Sequence, residues 1–229
     1  MNKIMLIIAL CVSLVLTGCQ SSSGVNTKDV DPELTKSNSA QFFSKSAWQS
    51  CAVGAGVGGF ACLLLGGKPE TCIASAVVGC GVMMGANYYL DSKRAEYANE
   101  EMRIDAYIQD IQKNTLEVQS VTQTAKGVLD KNLATLKVLN KQIKNSTVDT
   151  KQAQNDLTQI DANIAYLKDK LARMKEVEKD WVSLSAKERE SGVNVSKLDR
   201  EIEQLNKQIA GLEKQINLVM QQRSAVRVG

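Results

Sequence analysis

From Asp91 onward the apolar side chains recur at alternating steps of four and three residues, and that period admits few folds. Ile104, Ile108, Ile111, Thr115, Val118, Thr122, Ala125 and Leu129 form a first row. It continues less regularly through Leu133, Leu136, Leu139 and Ile143 until Asn145-Ser146-Thr147 interrupts it. A second row runs Leu157, Ile160, Ile164, Leu167, Leu171 and Met174, then Val177, Trp181 and Leu184 with a register shift. Ser191-Gly192-Val193-Asn194 ends it. The third and cleanest row is Leu198, Ile202, Leu205, Ile209, Leu212, Ile216 and Val219, with Ser196 and Asp199 reading as an N-cap signal. Charged and amide residues fill the remaining positions, as a solvated coiled-coil face requires. The pattern predicts helices over about 95–144, 150–190 and 196–227 within a helical region 91–229, folded back on one another through short breaks.

Composition agrees with long helices. The chain of 229 residues has two prolines and 4% aromatics, which suits extended helices better than a compact globular core. It carries 28 basic and 25 acidic side chains, net +3, and gives no nucleic-acid footprint. Histidine is absent, so imidazole acid–base catalysis, Ser-His and Cys-His nucleophiles and histidine metal ligands are excluded. Asp and Glu are dispersed over positions expected to face solvent, and Trp181 stands at a core spacing. These features predict no enzyme, no cofactor, no metal and no small-molecule substrate.

Residues 48–90 are different in kind: apolar, glycine-rich, and holding four of the six cysteines. Two apolar arms, roughly Trp48–Leu65 and Thr71–Leu90, flank Gly66-Gly67-Lys68-Pro69-Glu70, a turn by its glycines and proline. Small residues recur at every fourth position: Gly54, Gly58, Cys62 and Gly66, then Cys72, Ala76 and Cys80, with Gly81 and Gly85 alongside. Such ridges let helix backbones approach closely. The expectation is a helical hairpin of two arms, each about 25–30 Å long. An antiparallel hairpin brings Trp48, before the first arm, and Tyr88 and Tyr89, closing the second, to the same open end, where with Lys93 and Arg94 they would form an interfacial aromatic belt with basic anchors; the plainer expectation is a hairpin whose aromatics pack on the coil. Gly54, Gly56 and Gly59 match GxGxxG without a preceding strand, and Gly67-Lys68 is followed by proline, so neither supports nucleotide binding.

The cysteines fit the hairpin. Pairing within one arm would span ~12–16 Å along a helix, beyond the ~7 Å reach of a disulfide. Crossed pairs share no single turn, whereas Cys51–Cys80 and Cys62–Cys72 both centre on the glycine turn. The competing expectation is four unpaired small residues filling the packing ridge. A zinc site of four thiolates is disfavoured because no CxxC pair occurs.

The first residues read as an export signal: Asn2 and Lys3, the apolar run Ile4–Leu16, then Leu16-Thr17-Gly18-Cys19. This ending resembles the lipobox of bacterial lipoproteins. The resemblance implies cleavage of residues 1–18 and acylation of Cys19, and with Gln20 rather than aspartate next, retention at the outer membrane facing the periplasm. Several acyl chains anchor stably where one is marginal. Processing removes Cys11 and engages Cys19, leaving an even four cysteines for an oxidising compartment. Residues 19–47, rich in serine, asparagine and threonine, are expected to be a flexible tether.

With the lipobox, the apolar stretch resembles the glycine-zipper class of Gram-negative envelope lipoproteins, although the coil has no counterpart in that class's small members. The expected architecture is all-α: a glycine-rich helical hairpin followed by an extended antiparallel three-helix coiled-coil bundle. The expected function is a non-enzymatic envelope scaffold or assembly component, binding membrane lipid through Cys19 and associating with copies of itself or envelope-complex proteins. A membrane-active helical pore-former inserting residues 51–90 is the alternative. Non-reducing peptide mass spectrometry should recover the linked pairs Cys51–Cys80 and Cys62–Cys72; any other connectivity would reject the hairpin arrangement.

Overall fold

A computed structural model describes residues 27–36 and 81–228, and it is all-helical, with no strand among the described residues. The expected cysteine pairs and most of the hairpin therefore lie outside the described residues. Five α-helices are described: α1 Pro32–Thr35, α2 Ala86–Glu96, α3 Glu100–Lys144, α4 Thr150–Glu190 and α5 Ser196–Ser224. A 3-10 turn, Gly81–Met84, leads into α2.

The long helices end where the heptad rows break, for identifiable local reasons. Asn99 caps α3 by accepting the Met102 amide, and Asp149 caps α4 by accepting that of Gln152. Both long C-termini close in the Schellman pattern. After α4, Gly192 takes φ 86°, its amide donates to the Arg189 carbonyl, and the Val193 amide donates to that of Glu188. After α3, Ser146 does the same at φ 56°. The expected cap at Ser196 is corrected: Val195 is the cap residue, Asn194 accepts the Ser196 amide, and Asp199 instead binds Ser185 and Arg189. The first long helix starts at Glu100 rather than near 95, because Tyr97 is extended and divides α2 from α3.

At 1.5 Å per residue, α3, α4 and α5 are roughly 68, 62 and 44 Å long. Cross-helix bonds give their directions. Arg103 with Glu188, Asn114 with Trp181, and Asn132 with Asn163 pair α3 and α4 in opposite senses. Ser185 with Asp199, Lys175 with Glu213, and Asp161 with Arg223 do the same for α4 and α5. α5 packs along both α3 and α4. Its row from Leu198 to Val219 is buried throughout, as is the row of α4 from Leu157 to Leu184.

The row of α3 needs correction. Ile104, Ile111, Val118, Ala125, Leu129, Leu136 and Leu139 are buried as expected, but the inward positions between the first four are Tyr107, Asn114 and Val121. Ile108, Thr115 and Thr122 are only half-buried, with Thr115 donating to the Ile111 carbonyl. The expected row was thus one residue out at these three positions, where Tyr107, Asn114 and Val121 turn inward instead of Ile108, Thr115 and Thr122.

Part of the expected tether is folded. The short helix α1 lies on α3, with Val30 and Leu34 buried. Asn163 Oδ1 accepts the Asp31 amide at 2.7 Å while Asn163 Nδ2 donates to Asn132, and Lys131 pairs with Glu33 at 2.7 Å. A buried asparagine pair is costly unless bonded, and here it holds the incoming chain. Asn163→Ala should release residues 27–36 while leaving the long helices intact. Hydrogen exchange should show the Asp31 amide losing protection, with a stability loss of about 1–3 kcal/mol in urea unfolding.

Candidate functional site

The chemically richest place among the described residues is the end of the body where α2, α3, α4 and α5 come together. Here α2 runs beside α3 and α4 on residues spaced along one face. Its entry is set by glycine: Gly81 has φ 54° and Gly85 has φ 95°, backbone states that side-chain-bearing residues rarely adopt. A Cβ at either would meet nothing within 4 Å. Gly81 and Gly85 thus turn the backbone into α2, while the arm they were expected to pack against lies outside the described residues. The second apolar arm is also not one helix through Leu90, since the 3-10 turn and Gly85 precede α2. Asp180 of α4 then accepts the Ala86 amide at the start of α2, and burial raises its carboxyl pKa.

Tyr89 lies in the core, not at a surface belt. It is fully buried and its ring meets Trp181 edge-on at 5.5 Å and Tyr107 at 5.7 Å. Trp181 and Tyr107 complete the triangle at 6.4 Å. Each polar edge has a partner, as buried Tyr and Trp require. Tyr89 donates to Asp110 at 2.6 Å, Tyr107 to Glu188 at 2.9 Å, and Trp181 Nε1 to Asn114 at 2.8 Å. Burial raises the Tyr89 and Tyr107 phenols well above their ordinary range, and the facing carboxylates Asp110 and Glu188 add to it. Tyr88, by contrast, is half-buried.

Glu188, in the last turn of α4, has no exposed surface. This corrects the expectation that every carboxylate faces solvent. Arg103 grips it through two bonds of 2.9 and 3.1 Å and donates a third, 3.1 Å, to the Tyr97 carbonyl. Arg94 of α2 approaches both Glu188 oxygens at 3.4 Å and donates to Ser191 Oγ at 2.8 Å. Two guanidiniums and a phenol therefore converge on one carboxylate, tying α2 and α3 to the last turn of α4. Burial pushes the Glu188 pKa up, but the hydrogen bonds from Arg103, Arg94 and Tyr107 outweigh it and hold the group below its ordinary value. Near Asn163, burial pushes Lys170 down to about 8, its ammonium 4.9 Å from the Tyr166 ring centre.

Of the residues singled out by sequence, Cys19, Trp48, Cys51, Gly54, Gly58, Cys62, Gly66, Cys72, Ala76 and Cys80 lie outside the described residues. The cluster of Arg94, Arg103, Tyr107 and Glu188 was missed. Its signal was available as polar or aromatic residues at inward heptad positions, Tyr107 in α3 and Glu188 one heptad after Trp181. No described helix is long and apolar enough to cross a membrane. The chain matches no protein-family model, no curated protein and no solved structure at a significant level.

The arrangement is a structural latch: the carboxylate is enclosed and fully bonded, with no face left for a substrate. Its pH dependence follows from the lowered pKa. The stabilisation is fully present above the unfolded value, ordinarily 4.5, and is lost as pH falls through the folded one. Glu188→Gln should cost about 3–5 kcal/mol near neutral pH, because the buried Arg103 guanidinium loses its counter-charge. Urea denaturation as a function of pH should show the gap between variant and wild type narrowing as the solution is acidified below that value.

Proposed function

We propose that this protein is a lipid-anchored scaffold of a bacterial cell envelope, without catalytic activity. The acylated Cys19 holds it at the outer membrane, the glycine-rich hairpin of residues 48–90 packs at or in that membrane, and the three long helices act as an antiparallel coiled-coil bundle that presents surface to other copies or to envelope-complex proteins. The observation that carries this reading is the latch at the end of the body. It fastens the segment arriving from the hairpin, through Arg94 and Tyr89, to α3 and α4 by bonds from three helices. A buried, fully bonded ionic group is a device for one fixed geometry, which a load-transmitting scaffold needs at the junction between anchor and arm.

The pore-forming alternative is less well supported by the same residues. Inserting the arm that ends at Leu90 would draw Tyr89 from its pocket and separate Arg94 from Glu188. The test of the anchored scaffold is metabolic labelling in a Gram-negative host. Radioactive palmitate should enter the wild-type protein and not Cys19→Ser, and the detergent-extracted protein should run as a discrete oligomer on size analysis. An unlabelled monomer in the cytosol would overturn the reading.

A further inference from the structure

The two ends of the body differ in charge. Around the latch, residues 91–110 hold six carboxylates against Lys93, Arg94 and Arg103, and residues 187–203 hold five against four cations, a net −4. At the opposite end, residues 137–156 hold four lysines and two aspartates, and residues 214–228 hold one lysine and two arginines with no carboxylate. Seven cations against two anions make +5 there, in a chain whose total is +3. The acids at this end are engaged: Asp149 caps α4 and Asp156 accepts from Gln152, while neighbouring Asp161 holds Arg223. Lys137, Lys141 and Lys144 stand on one face of the last two turns of α3, exposed, and form no ion pair among the described residues.

These lysines edge a groove of about 490 Å³ between α3 and α5, floored by Leu133 and Leu218, with Asn140, Asn145 and Gln222 on its rim. Leu218 is 46% exposed, and Val138, on the other side of the lysine ridge, is 55% exposed. Lysines interleaved with exposed apolar side chains are the pattern of a surface that lies on lipid head groups, with stems along the apolar layer and ammoniums at the phosphates. The choice of lysine matters. An ammonium is a point charge on a flexible stem, suited to a fluid array of anions, whereas oriented recognition of one rigid acceptor favours the arginine fork. Of the two arginines at this end, Arg223 is occupied by Asp161.

We propose that the end of the body formed by Lys137, Lys141, Lys144, Leu218 and Val138 docks on an anionic phospholipid surface. With the hairpin of residues 48–90 holding the latch end, this second contact lays the body along the same surface. This contact is separate from acylation at Cys19 and adds a second, electrostatic attachment about 60 Å from the latch.

The test is co-sedimentation of the full chain with phosphatidylcholine vesicles and with vesicles containing roughly one-third phosphatidylglycerol, where each lysine should contribute about fivefold in affinity. Binding to the neutral vesicles reports the anchor and the apolar hairpin; the increment on the anionic ones reports the lysine end. Lys137→Gln, Lys141→Gln and Lys144→Gln together should remove roughly 100-fold of that increment. The corresponding Lys→Arg triple should keep it. Lys179→Gln, Lys197→Gln and Arg200→Gln together, which remove the same charge from exposed positions nearer the latch, should also keep it. Because the replaced side chains are exposed, circular dichroism should show every variant folded. The proposal is overturned if anionic lipid adds nothing to wild-type binding, if both glutamine triples lose the increment equally, or if soluble polyglutamate of matched charge binds as tightly as the vesicles.

Discussion

The burial of one narrow stripe on α5 is the constraint on which the rest depends. α5 is the shortest of the three long helices, and its seven seam residues, Leu198 to Val219, are all buried between α3 and α4. At about 1.5–3 kcal/mol for each fully buried aliphatic side chain, this single seam supplies a gross driving force on the order of the net stability of a whole domain. Without α5, the long pair α3 and α4 would present that stripe's complement to water. The remaining features, namely the docking of α1, the latch at Glu188 and the cationic far end, are arranged around a frame that this seam closes.

The latch solves a different problem. Where α2 joins, the space beside α3 and α4 is filled by three aromatic rings rather than by aliphatic side chains. Rings of this size bring polar edges inside, and each edge then requires a partner. Asp110, Asn114 and Glu188 meet that requirement, and once Glu188 is inside, Arg103 and Arg94 must follow to compensate its charge. The buried ionic group is thus a consequence of packing tyrosine and tryptophan at inward positions. It also makes the junction specific, because a slip of α2 by one turn would part Tyr89 from Asp110 and Arg94 from Glu188. The same logic on a smaller scale holds α1, where the Asn163 side chain, donating to Asn132, accepts the Asp31 amide.

Much of the frame was legible in the sequence because heptad spacing acts locally. The rows of α4 and α5 consist of aliphatic residues and one tryptophan at regular steps, and every one of those positions is buried. The helix breaks at 145–149 and 191–195 were legible for a similar reason: Gly192 and the Asn-Ser-Thr run are poor helix interior residues and good termini. The row of α3 was only half legible. Tyr107 and Asn114 are inward, but what turns them inward is Trp181 and Glu188, more than 60 residues further along the chain. The tether was misjudged around residues 27–36 because Val30 and Leu34 are too few to fold alone, and their burial depends on a groove that only the assembled helices create. The positive φ values of Gly81 and Gly85, which turn the chain into α2, were not legible from their spacing.

By itself, the sequence determined that the chain beyond residue 91 is helical, where its long helices stop, and which stripes of α4 and α5 turn inward, since periodicity and capping are properties of neighbouring residues. Only the tertiary structure decided which carboxylate is enclosed, which tyrosine leaves the surface, where the incoming segments attach, and that the cations of α3 and α5 collect at one end. Each of those facts depends on residues distant in the chain becoming neighbours, and no local spacing encodes a partner it does not contain.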